Sequence, residues 1–250
     1  MMEDWEKERY LLHAKSQRFR ERLNEAREII GRVMSTIKTP FVAFSCGKDS
    51  SVLADLVMEY SPSAILRFLS SGETRLVHNV DDVLDWFKTR GATIDEILID
   101  RVFSDEWKDA TWTEQRKAGR RDMELLNKGA WDGIFMGLRI EESRPRKMSL
   151  IIHQDDDLPR YCHKYKGGQR KDMIRVCPLA NWLKEDIGAY LLMHNIPYLK
   201  HYENHGFEAR TTARLTGDAV RQYVLSDIKR DNPQNWIKLT KRFPEFRAFV

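Results

Sequence analysis

Cysteine is scarce in this 250-residue chain, which has only Cys46, Cys162 and Cys177. They form no C-x-x-C pair and no disulfide framework, and they are too few to hold a four-cysteine iron–sulfur cluster within one chain. Runs of 18 or more apolar residues are also missing, so no membrane-spanning helix is expected. The opening Met1-Met2-Glu3-Asp4-Trp5-Glu6 is acidic and polar, which argues against a secretory signal and makes a cytoplasmic location the expectation. Neither charge sign dominates: 42 Lys and Arg stand against 38 Asp and Glu, a formal net charge of +4, and no basic block is long enough to be a nucleic-acid tail. Internal repeats and low-complexity segments are absent. What remains, 42% hydrophobic and 32% charged, reads as a soluble globular protein. A chain this long hides roughly 70–75% of its unfolded surface, enough for a sizeable core.

The chain itself alternates between two periodicities. Residues 3–38 are charge-rich and lack proline, with Leu12, Phe19, Leu23, Ile30, Val33 and Ile37 on one stripe. That pattern predicts one long helix or a broken pair, ending before Pro40. Residues 41–44 predict a buried strand, followed by a helix that turns Val52, Leu53, Leu56, Val57 and Tyr60 inward. Further strands are expected at 64–69, 93–99, 133–138 and 173–177, and helices at about 80–89, 104–128 and 184–194. Segments 148–153 and 160–163 are expected to pair as a small hairpin around Asp155, Asp156 and Asp157. Residues 208–250 read as helical and basic. Repeated β–α units predict an α/β fold, a parallel twisted sheet with helices on both faces. The expected organisation is a helical segment at 1–39, a nucleotide-binding domain at 40–200 and a basic helical region at 201–250. Ligands of such open sheets sit beyond the carboxyl ends of the strands, where the strand order reverses.

The stretch Ser45-Cys46-Gly47-Lys48-Asp49-Ser50 leaves the first strand and leads into a helix. The first N–H groups of a helix lack partners and its dipole favours an anion there, so this turn suits phosphate. Lys48 adds a full charge, and Ser45, Ser50 and Ser51 add short hydroxyls. The Walker pattern is excluded, because the glycine it needs five positions before Gly47 is Val42. The hexapeptide resembles the PP-loop, S-G-G-x-D-S, of the ATP pyrophosphatases. That family includes the small subunit of ATP sulfurylase, phosphoadenylyl-sulfate (PAPS) reductases, and enzymes that thiolate tRNA or DNA. Cys46 stands where the family usually has glycine. The resemblance implies that backbone N–H groups and Lys48 hold the β- and γ-phosphates of ATP. Asp49 would organise the loop or a Mg²⁺ ion, which commonly takes one or two carboxylates plus phosphates. Ser50 would reach a phosphate oxygen. Cys46 has two readings: a thiolate favoured by the helix start and the lysine, or a small residue in glycine's place. The second is expected, with strain if the position has φ > 0.

Two more strand exits carry chemistry. Ser70-Ser71-Gly72-Glu73-Thr74-Arg75 sits where the sulfurylase and reductase relatives have a D-T-G-type segment beside the nucleotide. The initial acid is missing here, and a plain turn is the competing reading. On the resemblance, Ser71, Gly72 and Glu73 approach adenine or ribose. The second exit, residues 137–146, resembles the G-x-R-x-x-E-S-x-x-R segment of PAPS-reductase-like proteins through Gly137, Arg139, Glu142, Ser143 and Arg146, with Arg144 one step off. The planar arginine fork suits phosphate or sulfate. Lys48, Arg139 and Arg144 are the candidates for neutralising charge, with Glu142 orienting an arginine; a solvated charge run is the plain alternative.

Residues 175–182, followed by Glu185-Asp186-Ile187 and Ile196-Pro197-Tyr198, resemble the family's N-P-L-x-D-W, helix, I-P-Y stretch. Most of it, Cys177 included, is expected to be packing. Arg210, Arg214 and Arg221 fall near helical spacing. They suit a second nucleotide phosphate or a nucleic-acid backbone, or equally an exposed basic helix. His201 and His205 stand at i and i+4, but the glutamate of H-E-x-x-H is displaced. With Gly206 adjacent, a loop is expected there rather than a ligand-bearing helix.

The resemblance spans about residues 40–200. It implies ATP cleavage between the α- and β-phosphates, with an acceptor oxygen attacking the α-phosphorus and pyrophosphate left on the Lys48 loop. A second nucleophile, ammonia or a sulfur carrier, would then displace AMP. The acceptor (sulfate, nucleobase or nucleic acid) stays open, as does a homodimer or partner subunit. One rival is a PAPS reductase; that chemistry uses a cysteine in the C-terminal tail, and none follows Cys177. A second rival is a non-catalytic nucleotide-binding subunit.

Overall fold

Six strands, β1 (Pro40–Phe44), β2 (Ile65–Ser71), β3 (Thr93–Ile99), β4 (Gly133–Phe135), β5 (Cys162–Lys164) and β6 (Ile174–Val176), join in one sheet of order β3-β2-β1-β4-β6-β5. The computed structural model describes residues 2–71, 75, 78–99, 111–152, 155–209 and 218–250. Every neighbouring pair is parallel except β5 with β6. The order runs outward from β1 to β2 and β3 on one side and to β4 on the other. The reversal therefore lies between β1 and β4, which pair through Phe41 with Ile134 and Val42 with Phe135.

Alternation along β1 gives the sheet two buried faces. Val42 and Phe44 join Leu66 and Phe68 in the main core. That face is covered by α2 (Gln17–Met34), α3 (Lys48–Met58), α4 (Asp81–Thr89) and α7 (Lys184–Met193). Phe41 and Ile134 point the other way, against Leu126 of α5 (Trp112–Leu126) and Met173. The fold is α/β with helices on both faces, as the β–α alternation requires.

The amino-terminal stripe breaks into α1 (Asp4–Ala14) and α2, because the Ser16 hydroxyl accepts from Phe19 N–H at 3.2 Å and starts a new helix. Both helices are tied to α7. Asp186, 0% exposed, accepts from Arg22 Nη1 at 2.6 Å and lies 2.7 Å from His13 Nε2. After α7 come the short α8 (Lys200–His205), α9 (Asp218–Asp231), α10 (Pro233–Arg242) and a 3-10 turn, Pro244–Phe249. Val224, Leu225, Ile228, Leu239, Phe243 and Phe246 give this end its own small core.

Three expectations need correction. Residues 148–152 do not pair with 160–163, and residue 153 lies outside the described residues. Most of that stretch belongs to α6 (Arg144–Ile152), and β5 pairs instead with β6. Ser143 Oγ accepts from Arg146 N–H, and Pro145 in the first turn gives up an N–H that needs no partner, so this short apolar run starts as a helix. The segment around His201 and His205 is helical rather than a loop. Strand β4 stops at Phe135, three residues earlier than expected. The early part of the helix expected at 104–128 lies outside the described residues, as do Gly72, Glu73, Arg210 and Arg214.

Candidate active site

Residues 45–47 connect β1 to α3, with Gly47 as the extended N-cap residue. The turn is held by its own hydroxyls. Ser50 Oγ donates to Gly47 O at 2.9 Å, accepts from Ser45 N–H at 3.2 Å and meets Ser45 Oγ at 3.1 Å. Cys46 adopts φ +56°, the left-handed conformation that suits glycine, and its side chain is 0% exposed within the main core. Burial holds the Cys46 thiol far above its ordinary pKa, so the thiolate is suppressed. Cysteine here fills space. Ser51 is buried behind the turn, and its hydroxyl has no hydrogen-bond partner among the described residues.

The loop after β4 closes over this turn. Gly137 lies so close that a Cβ there would stand 3.1 Å from the carbonyl carbon and oxygen of Asp49. Arg139 Nε donates to Asp49 Oδ1 at 2.5 Å, and Lys48 Nζ lies 3.3 Å from Asp49 Oδ2. Arg139 also donates through Nη1 to Glu141 at 2.6 Å, while its backbone N–H donates to Glu142 at 3.0 Å. Burial works against the Arg139 charge, but the carboxylates of Asp49, Glu142 and Glu141 outweigh it and hold the guanidinium above its ordinary pKa. Glu142 also accepts from Arg146.

A cavity of about 280 Å³ opens between the two loops, at the carboxyl ends of β1 and β4. Ser45, Gly47, Lys48, Asp49 and Ser50 line one side, and Gly137, Glu142 and Arg146 the other. It lies where the strand order reverses, the place such sheets present to ligands. Arg139 stands behind the wall at 5% exposure, bound to Asp49. Arg144 is exposed at the start of α6 and does not line the cavity. Ser71 ends β2, beside a strand exit that lies outside the described residues.

Tyr202 completes the wall, and the sequence carried no signal for it. Its hydroxyl accepts from Lys48 N–H at 3.3 Å, and Lys48 Nζ lies 5.1 Å from its ring centroid. Lys48 Nζ also donates to Ala209 O at 3.2 Å. Arg75 instead binds Glu96 and Asp81, at 2.6 and 2.7 Å.

A family model described as the phosphoadenosine phosphosulfate reductase domain matches residues 39–217, which takes in both cavity loops. The chain is 30% identical over 169 residues to an adenosine 5'-phosphosulfate reductase of Bacillus cytotoxicus, covering 62% of this chain and 64% of that protein. It is 28% identical over 203 residues to a sulfate adenylyltransferase subunit 2 of Agrobacterium fabrum, covering 72% and 62%. An Escherichia coli O1:K1 protein of the latter description is 27% identical over 252 residues, covering 90% and 78%. The chain thus spans less than two thirds of the length of the first two relatives. A solved phosphoadenylyl-sulfate reductase from Candida auris, in complex with phosphate, superposes with a TM-score of 0.45 at 15% identity, over 82% of this chain and 93% of that one. The chain belongs to the phosphoadenosine phosphosulfate reductase domain family.

Proposed function

We propose that this protein binds ATP with its terminal phosphates on the turn at 45–50, and cleaves it between the α- and β-phosphates to adenylylate an oxyanion acceptor. The observation that carries the reading is the meeting, across one cavity, of the α3 amino terminus, Lys48 and Arg146. The positive end of a helix dipole and two cations of different geometry suit a polyphosphate.

The cations are now paired with carboxylates: Lys48 with Asp49, and Arg146 with Glu142. An anion alone has to break those pairs. The residues fit Mg²⁺ as well, since Asp49 and Glu142 offer the one or two carboxylates that ion takes alongside phosphate oxygens. In the nucleotide complex Lys48 and Arg146 would turn to phosphate while Asp49 and Glu142 hold the ion, so both sets of charge keep partners. Bound Mg²⁺ supplies charge neutralisation at the phosphates. Arg139, fixed by Asp49 and Glu141, keeps the two loops in register. Acceptor oxygen forms a bond to the α-phosphorus, the bond to the β-phosphate bridging oxygen breaks, and pyrophosphate stays on the Lys48 turn. The names of the relatives favour sulfate as the acceptor and allow a partner subunit.

The second reading, reduction of an adenylyl sulfate, is favoured by the relative named as a reductase. Against it, all three cysteines are buried, and burial pushes the thiols of Cys162 and Cys177 up to about 12. The deciding experiment incubates the protein with ATP, Mg²⁺ and sulfate and measures pyrophosphate. A parallel reaction supplies adenylyl sulfate with a thioredoxin-type reductant and measures sulfite. Pyrophosphate without sulfite supports adenylylation; sulfite release overturns it in favour of the reductase.

A further inference from the structure

Away from the nucleotide cavity, helix α8 turns His201 and His205 toward Asp227 of α9, and one donor atom from each lies within 4.8 Å of the others. His205 Nε2 is 2.7 Å and His201 Nδ1 3.5 Å from the same oxygen, Asp227 Oδ2. These separations bracket the edge of about 3.3 Å of a tetrahedron with zinc–ligand bonds near 2.05 Å. Arg230 donates to the other oxygen, Asp227 Oδ1, at 2.6 Å and so orients the carboxylate, as outer partners of metal ligands do. A fourth group stands near. His78 is 7% exposed, its buried Nε2 has no hydrogen-bond partner among the described residues, and its ring meets that of His201 edge-on at 5.5 Å between centroids. His78, His201 and Asp227 line one cavity of about 350 Å³, room for a fourth ligand from the protein or from solvent.

We propose that His201, His205 and Asp227 bind one divalent transition-metal ion of the zinc class, with His78 beside the remaining position. Imidazole nitrogen with a single carboxylate selects Zn²⁺, Co²⁺ or Ni²⁺ over the oxygen-seeking Mg²⁺ and Ca²⁺. The ion fastens the carboxy-terminal helices, which have their own small core, to α8. Tyr202 of α8 touches Lys48, so the same fastening steadies the phosphate turn from behind. The proposal stands whether or not the protein turns over ATP.

The test uses the full chain, stripped with a chelator and titrated with Zn²⁺ alone by calorimetry and with Co²⁺ alone by visible absorption. One equivalent is expected, with intense tetrahedral Co²⁺ bands, no thiolate charge-transfer band and a raised melting temperature. His205→Gln and Asp227→Asn, checked for folding by circular dichroism, are expected to bind at least about tenfold more weakly. Absence of saturable binding to the wild-type chain overturns the proposal. So does a thiolate band, or unchanged affinity in the folded variants.

Discussion

Arg139 Nε donates to Asp49 Oδ1 at 2.5 Å, and this bond joins the loop after β4 to the turn after β1 across 90 positions of sequence. Asp49 Oδ2 faces Lys48 Nζ at 3.3 Å, so one carboxylate sets the spacing of two cations. Arg139→Lys keeps the charge but loses the fork that serves Asp49 and Glu141 together. Pyrophosphate formation is expected to fall by about 10²-fold, the cost of letting the two loops slip out of reacting register. Steady-state assays at saturating ATP check this, and unchanged turnover would remove Arg139 from the machinery.

Gly137→Ala tests the closeness of the two loops. The added Cβ meets the Asp49 carbonyl at 3.1 Å and Ser50 N at 3.3 Å, both backbone atoms that do not swing away. The turn at residues 45–50 has to shift by a few tenths of an ångström. Nucleotide affinity is expected to drop roughly tenfold with little loss of stability, because positioning suffers more than packing. Paired titration calorimetry and thermal melts separate the two effects.

The three thiols provide a pH test. Burial raises the thiols of Cys162 and Cys177 from 9.0 to about 12, with that of Cys46 higher still, so the fold keeps them protonated. Groups raised by folding stabilise the native state below their unfolded pKa, and that contribution is lost as pH climbs from about 9 toward 12. Native protein at pH 8 is expected to show no fast-reacting thiol with Ellman's reagent, and denatured protein all three. Melting temperature is expected to fall above pH 9, and less steeply in Cys177→Ala.

Asp186 anchors both amino-terminal helices through His13 and Arg22. Asp186→Ala leaves the Arg22 charge buried without that partner, a change that costs about 3–5 kcal/mol. Urea denaturation is expected to show this loss in ΔG. A change under 1 kcal/mol would mean that the apolar contacts of Phe19 and Ile30 suffice alone.

The strand–turn–helix at residues 40–58 was readable because its signal is local: an apolar strand, three small or polar residues and a helix follow one another directly. The approach of residues 137–146 followed from topology, since both loops leave parallel strands at the same edge. Tyr202 and Ala209 were not readable. They reach Lys48 from 154 and 161 positions away, and no local pattern records such a contact. The helix at Arg144–Ile152 was missed because Met148, Leu150, Ile151 and Ile152 fit a strand as well as a helix. The Ser143 cap decides between them. Arg144 and Arg146 are indistinguishable as residue types, and only the start of α6 turns Arg146 toward the cavity.

Titration calorimetry of ATP·Mg²⁺ with wild-type protein and with Lys48→Ala, with pyrophosphate as competitor, decides whether the turn at residues 45–50 holds the terminal phosphates. Saturable binding that pyrophosphate displaces is expected, with at least about tenfold weaker affinity in the variant, the value of one charged hydrogen-bonding partner. Equal affinity in the two proteins, or binding that pyrophosphate leaves untouched, would contradict it.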